Sequence, residues 1–360
     1  MRPVVYLSPM LTHFMDLVTQ GVVGAAMAAA AAPASETRRA AFIGLGAGLL
    51  PDADVLIRSS TDPLLVLEYH RHFTHALVMV PVIALIAALL FGLAARYGPI
   101  GDPQAGDGSL PFRRVYGYAL LGASLAGVLD ACTSYGTHLW WPFSEAAVSW
   151  SIIAILDPVF TLLLGVPLAI GLVRRQRHVM RWGLVLAAGY LLLGLVQHQR
   201  ADAVARGLAE TRGHAVDQLI VKPTIANLVL WRVLTVTDER VYADAIRVGV
   251  GANRVYPGTS STLYAADSTD APPAIQRDVQ RFIRFADGVV VRHPEQPHVV
   301  GDARFSMLPT TLTPMWGVAV TPSAEPPVQR VTDRSLSEEG RQQFVDMLFG
   351  RPLPQKNDRP

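Results

Sequence analysis

Over its first two hundred residues the chain alternates long apolar runs with short polar interruptions. Runs of this length read as helices rather than strands. Residues 17–32 are apolar and rich in Gly and Ala, and Glu36-Thr37-Arg38-Arg39 ends them. Residues 40–50 form a second short run that stops at Pro51-Asp52-Ala53-Asp54. Residues 76–95 have the length of a spanning helix. Residues 115–135 form another run, interrupted by Asp130, and 150–173 a third, carrying Asp157-Pro158. Residues 182–196 make a last, shorter run. A helix needs about 20 apolar residues to cross the hydrocarbon core, so the first two runs are short. Their small residues suit a tight hairpin or a partly re-entrant pair. The pattern predicts an all-α polytopic membrane domain of about five to six apolar helices over residues 1–199.

The texture changes near Arg200. Residues 201–213 read as a polar helix with Gly213 as its stop. β-branched runs bounded by turn residues follow at 228–237, 241–250, 288–292 and 316–321. Residues 271–286 read as a helix, and 335–349 as a second one, capped by Ser335 or Ser337 ahead of Glu338-Glu339. The pattern predicts a smaller β-rich extramembrane domain with a terminal helix over 200–350, then a disordered tail at 351–360.

Charge placement suggests a topology. Arg38 and Arg39 lie between the first two runs, Arg96, Arg113 and Arg114 between the third and fourth, and Arg174, Arg175, Arg177 and Arg181 between the last two. With six crossings these loops share one side, which the positive-inside bias makes cytoplasmic. The polar groups Asp16 and Gln20, Asp52 and Asp54, His70 to His75, Asp130 to His138, and Asp157 all fall toward the other face. The expectation is a multi-pass protein of the bacterial inner membrane with its C-terminal domain on the non-cytoplasmic side.

The totals agree with this class. Of 360 residues 51% are hydrophobic and 17% charged, and the mean hydropathy is +0.30. That is too apolar for an ordinary soluble chain. A net charge of +2 with no long basic run gives no nucleic-acid footprint. The single cysteine, Cys132, excludes a disulfide framework and a thiolate zinc finger, so any metal must be held by His, Asp and Glu. Residues 1–15 do not have the pattern of a cleaved signal peptide.

The chemistry-bearing groups cluster around His70-Arg71-His72-Phe73-Thr74-His75. Imidazole is a common metal ligand, and carboxylates complete such sites. An interfacial cluster binding lipid headgroups is the plainer alternative. Pro51-Asp52-Ala53-Asp54 offers two carboxylates or simply a turn. Asp130 inside an apolar run is a functional candidate or part of a capping network with Thr133, Ser134 and Tyr135. Asp157 before Pro158 is ligand, supporting partner or kink stabiliser. Asp16 reads as a helix N-cap, with Gln20 one turn on. His138 sits beside Trp140 and Trp141 as in an aromatic belt, and His198 and His214 are isolated. No Gly-rich phosphate loop, H-E-x-x-H or G-x-S-x-G is present.

Read together, the segments Met15-Asp16-Leu17-Val18-Thr19-Gln20-Gly21 with Gly24, Gly48-Leu49-Leu50-Pro51-Asp52-Ala53-Asp54, His70 to His75, Asp130-Ala131-Cys132-Thr133-Ser134-Tyr135-Gly136-Thr137 with Pro142-Phe143-Ser144, and Ile155-Leu156-Asp157-Pro158-Val159-Phe160-Thr161 resemble a known family. It is the bacterial membrane-bound metal-dependent hydrolase family that includes LexA-regulated inner-membrane members. Trp231, after Pro223 and Asn227, continues the match, which covers most of residues 15–240. The resemblance implies an integral membrane hydrolase that depends on metal. A more distant likeness, to the all-helical tri-metal sites of the zinc phospholipase C and P1-nuclease type, implies phosphoester cleavage. The chain departs from the family pattern at Ala126, where relatives carry a His one turn before the Asp. His72 and His138 are departures too, and either could substitute.

The resulting expectation is a divalent metal, zinc or manganese, held by Asp52, Asp54, His70, His75 and Asp130. Catalytic roles fall to Arg71, which would orient an anionic group, to His72 as spare ligand or proton shuttle, and to Asp157. Membrane lipids are the expected partners and a lipid-linked ester the expected substrate. The alternative is a non-enzymatic membrane binding or assembly protein in which the cluster is structural or vestigial.

Overall fold

A computed structural model describes residues 10–97, 110–249, 251–265 and 272–354, with the backbone alone at 10–16 and 97. The chain divides into two compact units. One is Pro9–Ile57 with Tyr69–Gly194; the other joins Arg58–Glu68 to Leu195–Pro360.

The first unit is helical. Helices α1 (Met10–Ala31) and α2 (Thr37–Leu49) form a hairpin. Two short 3-10 turns (Phe73–His75 and Leu77–Met79) lead into α4 (Val80–Tyr97); α3 (Leu65–Tyr69), which precedes them in the chain, belongs to the other unit up to Glu68. Then come α5 (Phe112–Ala123), α6 (Ala126–Ala131), α7 (Pro158–Arg174) and the first half of α8 (Arg177–Thr211). Ala28, Ala32, Ala40 and Ala47 pack against Ala84, Ala87, Ala88 and Ala119, with Ile43, Ile83 and Tyr118 filling between. Small residues let these backbones come close. A Cβ on Gly24 would lie 2.3 Å from the Gly44 carbonyl oxygen, and one on Gly122 would lie 2.5 Å from it.

The expected polytopic domain of about five to six apolar helices is not what the chain builds. Among the described residues two helices, Leu77–Arg96 and Arg177–Thr211, are long and apolar enough to cross a membrane. The Gly/Ala-rich runs are instead buried in a short-helix core, because their small side chains pack helix on helix. The run expected to cross at 115–135 breaks at Ser124-Leu125 into α5 and α6, and Ser124 Oγ turns back to the Leu121 carbonyl (2.8 Å). The run at 150–173 is helical only from Pro158. Asp157 caps that helix by accepting from Phe160 N (3.1 Å), so Pro158 starts α7 rather than bending it. The polar helix expected at 201–213 is the last part of α8, and Gly213 at φ +68° ends it. Without six crossings, the alternation that ordered the loops is lost as a derivation.

The arginine loops nevertheless gather at one end of the helical unit, for a local reason. Arg177 Nη1 and Arg181 Nε donate to the carbonyls of Ala32 (3.2 Å) and Ala30 (3.1 Å) at the C-terminus of α1. Arg38 Nε reaches the Leu172 carbonyl (3.4 Å), and Arg114 pairs with Glu36. Cations there satisfy orphan carbonyls and oppose the helix dipole.

The second unit is not a small appendage. Strands β1 (Gln218–Pro223), β2 (Leu230–Val236), β3 (Arg240–Arg247) and β4 (Arg254–Thr262) form one antiparallel meander. After α9 (Pro273–Phe285) a second meander is built from β5 (Val290–Arg292), β6 (Val299–Asp302), β7 (Trp316–Val320) and β8 (Val328–Thr332). Every residue of β2 is buried. Trp231 and Val233 face Ala201 and Ala205 of α8, while Leu234 and Val236 face Val289 and Val291 of the other sheet. A strand covered on both faces shows no clean alternation. The segment 58–68 belongs to this unit: Leu64 packs on Ile275, Val279 and Phe282, and Arg281 clamps Asp62 (2.9 Å) and Glu68 (2.7 Å). The terminal helix α10 (Glu338–Leu348) is capped by Ser337, whose Oγ accepts from Gly340 N (3.0 Å). Part of the expected tail, 355–360, lies outside the described residues.

Candidate metal centre

Asp52 and Asp54 leave α2 on a 3-10 turn, Pro51–Leu56, and both are buried. Three residues per turn send side chains two apart in different directions, so the two carboxylates meet different partners. Asp54 Oδ1 lies 2.9 Å from His70 Nδ1. Its Oδ2 accepts from the Arg71 backbone N–H (2.8 Å) and from Thr74 Oγ1 (2.9 Å). Both oxygens are thus engaged by the chain that follows α3.

His75 sits on the Phe73–His75 turn, buried, with its two ring nitrogens facing different carboxylates. Nδ1 is 3.1 Å from Thr74 Oγ1 and 3.4 Å from Asp54 Oδ2. Nε2 is 3.1 Å from Asp130 Oδ2 and 3.4 Å from Asp52 Oδ1. Neither of those last two contacts has hydrogen-bond alignment, and Asp52 Oδ2 has no hydrogen-bond partner either. Asp130 is fully buried on α6; its Oδ1 accepts from Gln20 Nε2 of α1 (2.9 Å). Gly127 permits this arrangement, because a Cβ there would lie 2.0 Å from the His75 carbonyl oxygen.

Arg71 is buried at the centre with a left-handed backbone, φ +58°. Non-glycine residues hold that conformation at a cost of order 1–3 kcal/mol, and such strain collects at functional sites. Its Nε is 3.2 Å from Asp130 Oδ2, its Nη1 donates to Thr133 Oγ1 (3.0 Å), and the guanidinium lies over the Tyr135 ring at 5.2 Å.

Burial alone would raise the Asp54 carboxyl, but hydrogen bonds and charge from His70 and His75 outweigh it and hold the group well below the usual carboxylate range. Burial alone would lower the His75 pKa. The charge of Asp130 and the closeness of Asp52 and Asp54 win, and the imidazole is pushed up to about 10. The field that favours a proton there also favours a metal cation, which competes for the same nitrogen.

The donor set fits a divalent cation. Asp52, His75 and Asp130 offer ligand atoms that all lie within 4.8 Å of one another. The edge of a tetrahedron with bonds of about 2.0–2.1 Å is about 3.3 Å, and the two carboxylate oxygens lie 3.1 and 3.4 Å from His75 Nε2. Asp54 stands behind His75 as the carboxylate that orients the ring, the usual arrangement around a ligating histidine.

The structure therefore brings Asp52, Asp54, His70, Arg71, His75 and Asp130 together, and divides them. His72 turns away: its ring packs on His138 (4.3 Å between centroids) and Trp141 (6.1 Å), with Nε2 3.4 Å from Glu145 Oε2. Burial, then His72, lowers the His138 pKa. Asp157 has a separate set of partners, the Phe160 N–H and the Tyr190 hydroxyl (2.9 Å). Asp16 lies inside α1, not at its start. His198 packs on Trp231 and His214 on Tyr242, both in the second unit. Sequence reasoning missed Thr74, Gly127 and Glu145. Thr74 sat within the singled-out hexapeptide; a glycine in an apolar run carries no signal of what abuts it.

Among known proteins, the model of a family described as YdjM inner membrane protein matches residues 15–201, which include every residue of this centre. No curated protein and no solved structure matches the chain. The expected bacterial inner-membrane family is thereby borne out at that level; the match says nothing of hydrolysis or metal.

Proposed function

We propose that this chain, which belongs to the YdjM inner membrane protein family, is a metal-dependent hydrolase acting on a phosphoester or other ester at the membrane surface. The observation that carries this reading is the convergence of Asp52 Oδ1 and Asp130 Oδ2 on His75 Nε2, at 3.4 and 3.1 Å, in a buried site. When bound, a divalent cation supplies Lewis-acid charge that acidifies water and polarises an ester oxygen. Imidazole with carboxylates favours zinc or manganese over magnesium.

The remaining residues position the three. Asp54 and Thr74 fix the His75 ring, Gln20 fixes Asp130, and His70 holds Asp54. Arg71 is committed to Asp130, Thr133 and Tyr135, so it balances buried charge rather than gripping substrate. The same contact supports a second reading, a structural charge network in a non-enzymatic membrane binding or assembly protein, since Arg71 partly neutralises the carboxylates without metal. Metal analysis separates the two. Protein purified from membranes without chelator should carry zinc or manganese in stoichiometric amount, and His75→Ala should lose what Asp52, His75 and Asp130 hold. Wild-type protein free of metal would overturn the hydrolase reading.

Leu85, Ile86, Leu89, Leu90 and Leu93 of α4 are exposed, as are Val185, Leu186, Leu192 and Leu193 of α8. We read these faces as lipid-facing and the arginine-rich end as cytoplasmic. Then α2 carries the chain about 20 Å, at 1.5 Å per residue, from that end to Asp52. On this reading the buried centre lies on the side of the non-cytoplasmic headgroups, where a lipid-linked ester would be presented. Alkaline phosphatase should be active when fused after Thr211 and inactive after Arg175; the reverse pattern would refute this orientation.

A further inference from the structure

We infer a second cation site, formed by His72, His138 and Glu145, that takes a divalent transition metal of the zinc class independently of the Asp52–His75–Asp130 centre. The three side chains offer ligand atoms within 4.8 Å of one another. His72 Nε2 and Glu145 Oε2 are 3.4 Å apart, again close to the tetrahedral edge of about 3.3 Å set by zinc bonds of about 2.0–2.1 Å. The two imidazoles lie 4.3 Å apart at a 40° tilt, a spacing at which two protonated rings repel. Nδ1 of each ring is hidden from solvent and has no hydrogen-bond partner.

The backbone builds this site in advance. The chain pairs Thr137 with Val148 through two hydrogen bonds (3.0 and 2.8 Å), closing a loop that carries His138 at one end and Glu145 toward the other. The His138 N–H donates to the Arg71 carbonyl (3.1 Å), which sets His138 beside His72. Tyr69, Phe73 and Trp141 pack around the His72 ring and fix its plane. Glu145 is 73% exposed, so the site opens to solvent and keeps positions free for water or an anionic ligand. Two imidazoles and one carboxylate are the donor set of open zinc centres. With no thiolate among the donors, Zn²⁺, Ni²⁺ and Cu²⁺ are favoured over Cu⁺.

The site does not rest on the hydrolase reading, and the experiment keeps them apart. Full-length protein in detergent is stripped with chelator and titrated with Zn²⁺ by calorimetry and with Co²⁺ by visible absorption. Asp52→Asn should retain one equivalent that its combination with His138→Ala, or with His72→Ala, abolishes. Glu145→Gln should weaken that equivalent at least tenfold and shift the Co²⁺ bands. The proposal falls if Asp52→Asn binds no Co²⁺, or if the added His138→Ala and His72→Ala substitutions leave stoichiometry and affinity unchanged. Because Asp52→Asn leaves all three ligands intact, a His variant that fails to fold does not leave the question open.

Discussion

Asp130→Ala should lower the unfolding free energy by about 3–5 kcal/mol, measured by denaturation in detergent with chelator present so that no metal contributes. The carboxylate is fully buried and meets Gln20, Arg71 and His75 at 2.9, 3.2 and 3.1 Å. Removing it takes away the carboxylate that lies 3.2 Å from the Arg71 guanidinium, itself only 2% exposed. The contacts of Arg71 with Thr133 and Tyr135 persist in the variant and carry no negative charge. Asp130→Asn keeps an acceptor for Gln20 and should lose less. If Asp130→Ala unfolds with the wild type, Arg71 finds compensation elsewhere and the buried charge network does not organise the unit.

What could be read from the sequence depended on whether the physics was local. The long run at 76–95 is helical because nothing polar or Pro-rich interrupts it after Pro81, and its exposed leucines match its apolar composition. The break at Ser124-Leu125 was invisible to periodicity, since it answers to where Asp130 must point. Composition turns polar near Arg200, which divides α8 into an apolar run at 182–196 and a polar helix at 201–213; no proline lies between Arg177 and Thr211, so the helix is continuous. The predicted runs at 228–237, 241–250, 288–292 and 316–321 coincide with β2, β3, β5 and β7, while β1, β4, β6 and β8 take their pairing from these neighbours and carry no local signal of their own. The residue types of the candidate centre were legible, but their division was not. Asp52 and Asp54 part company because the turn after α2 is a 3-10 turn, and His72 leaves His70 and His75 where Arg71 enters the left-handed region. Both are backbone facts that spacing alone does not reveal.

Gly127→Ala tests that backbone logic at the position least visible in sequence. In an open helix the change should stabilise by about 1 kcal/mol, because alanine is the better helix former. Gly117 of α5 provides that control, as a Cβ there meets nothing within 4 Å. At Gly127 the added Cβ would sit 2.0 Å from the His75 carbonyl oxygen and 3.0 Å from its carbonyl carbon, so backbone must move. Either α6 recedes and takes Asp130 with it, or the Phe73–His75 turn recedes and takes His75. Both routes widen the 3.1 Å approach of His75 Nε2 to Asp130 Oδ2. Overpacking of this kind costs about 1–3 kcal/mol, and misplacing a supporting group around a metal weakens its affinity by about 10–100-fold. Gly127→Ala should therefore melt lower than wild type and bind zinc at the buried centre about 10–100-fold more weakly, while Gly117→Ala does neither. Equal behaviour of the two variants would mean that the approach of α6 to His75 does not set the centre, and the assignment of Asp52, His75 and Asp130 as one ligand set would lose its structural basis.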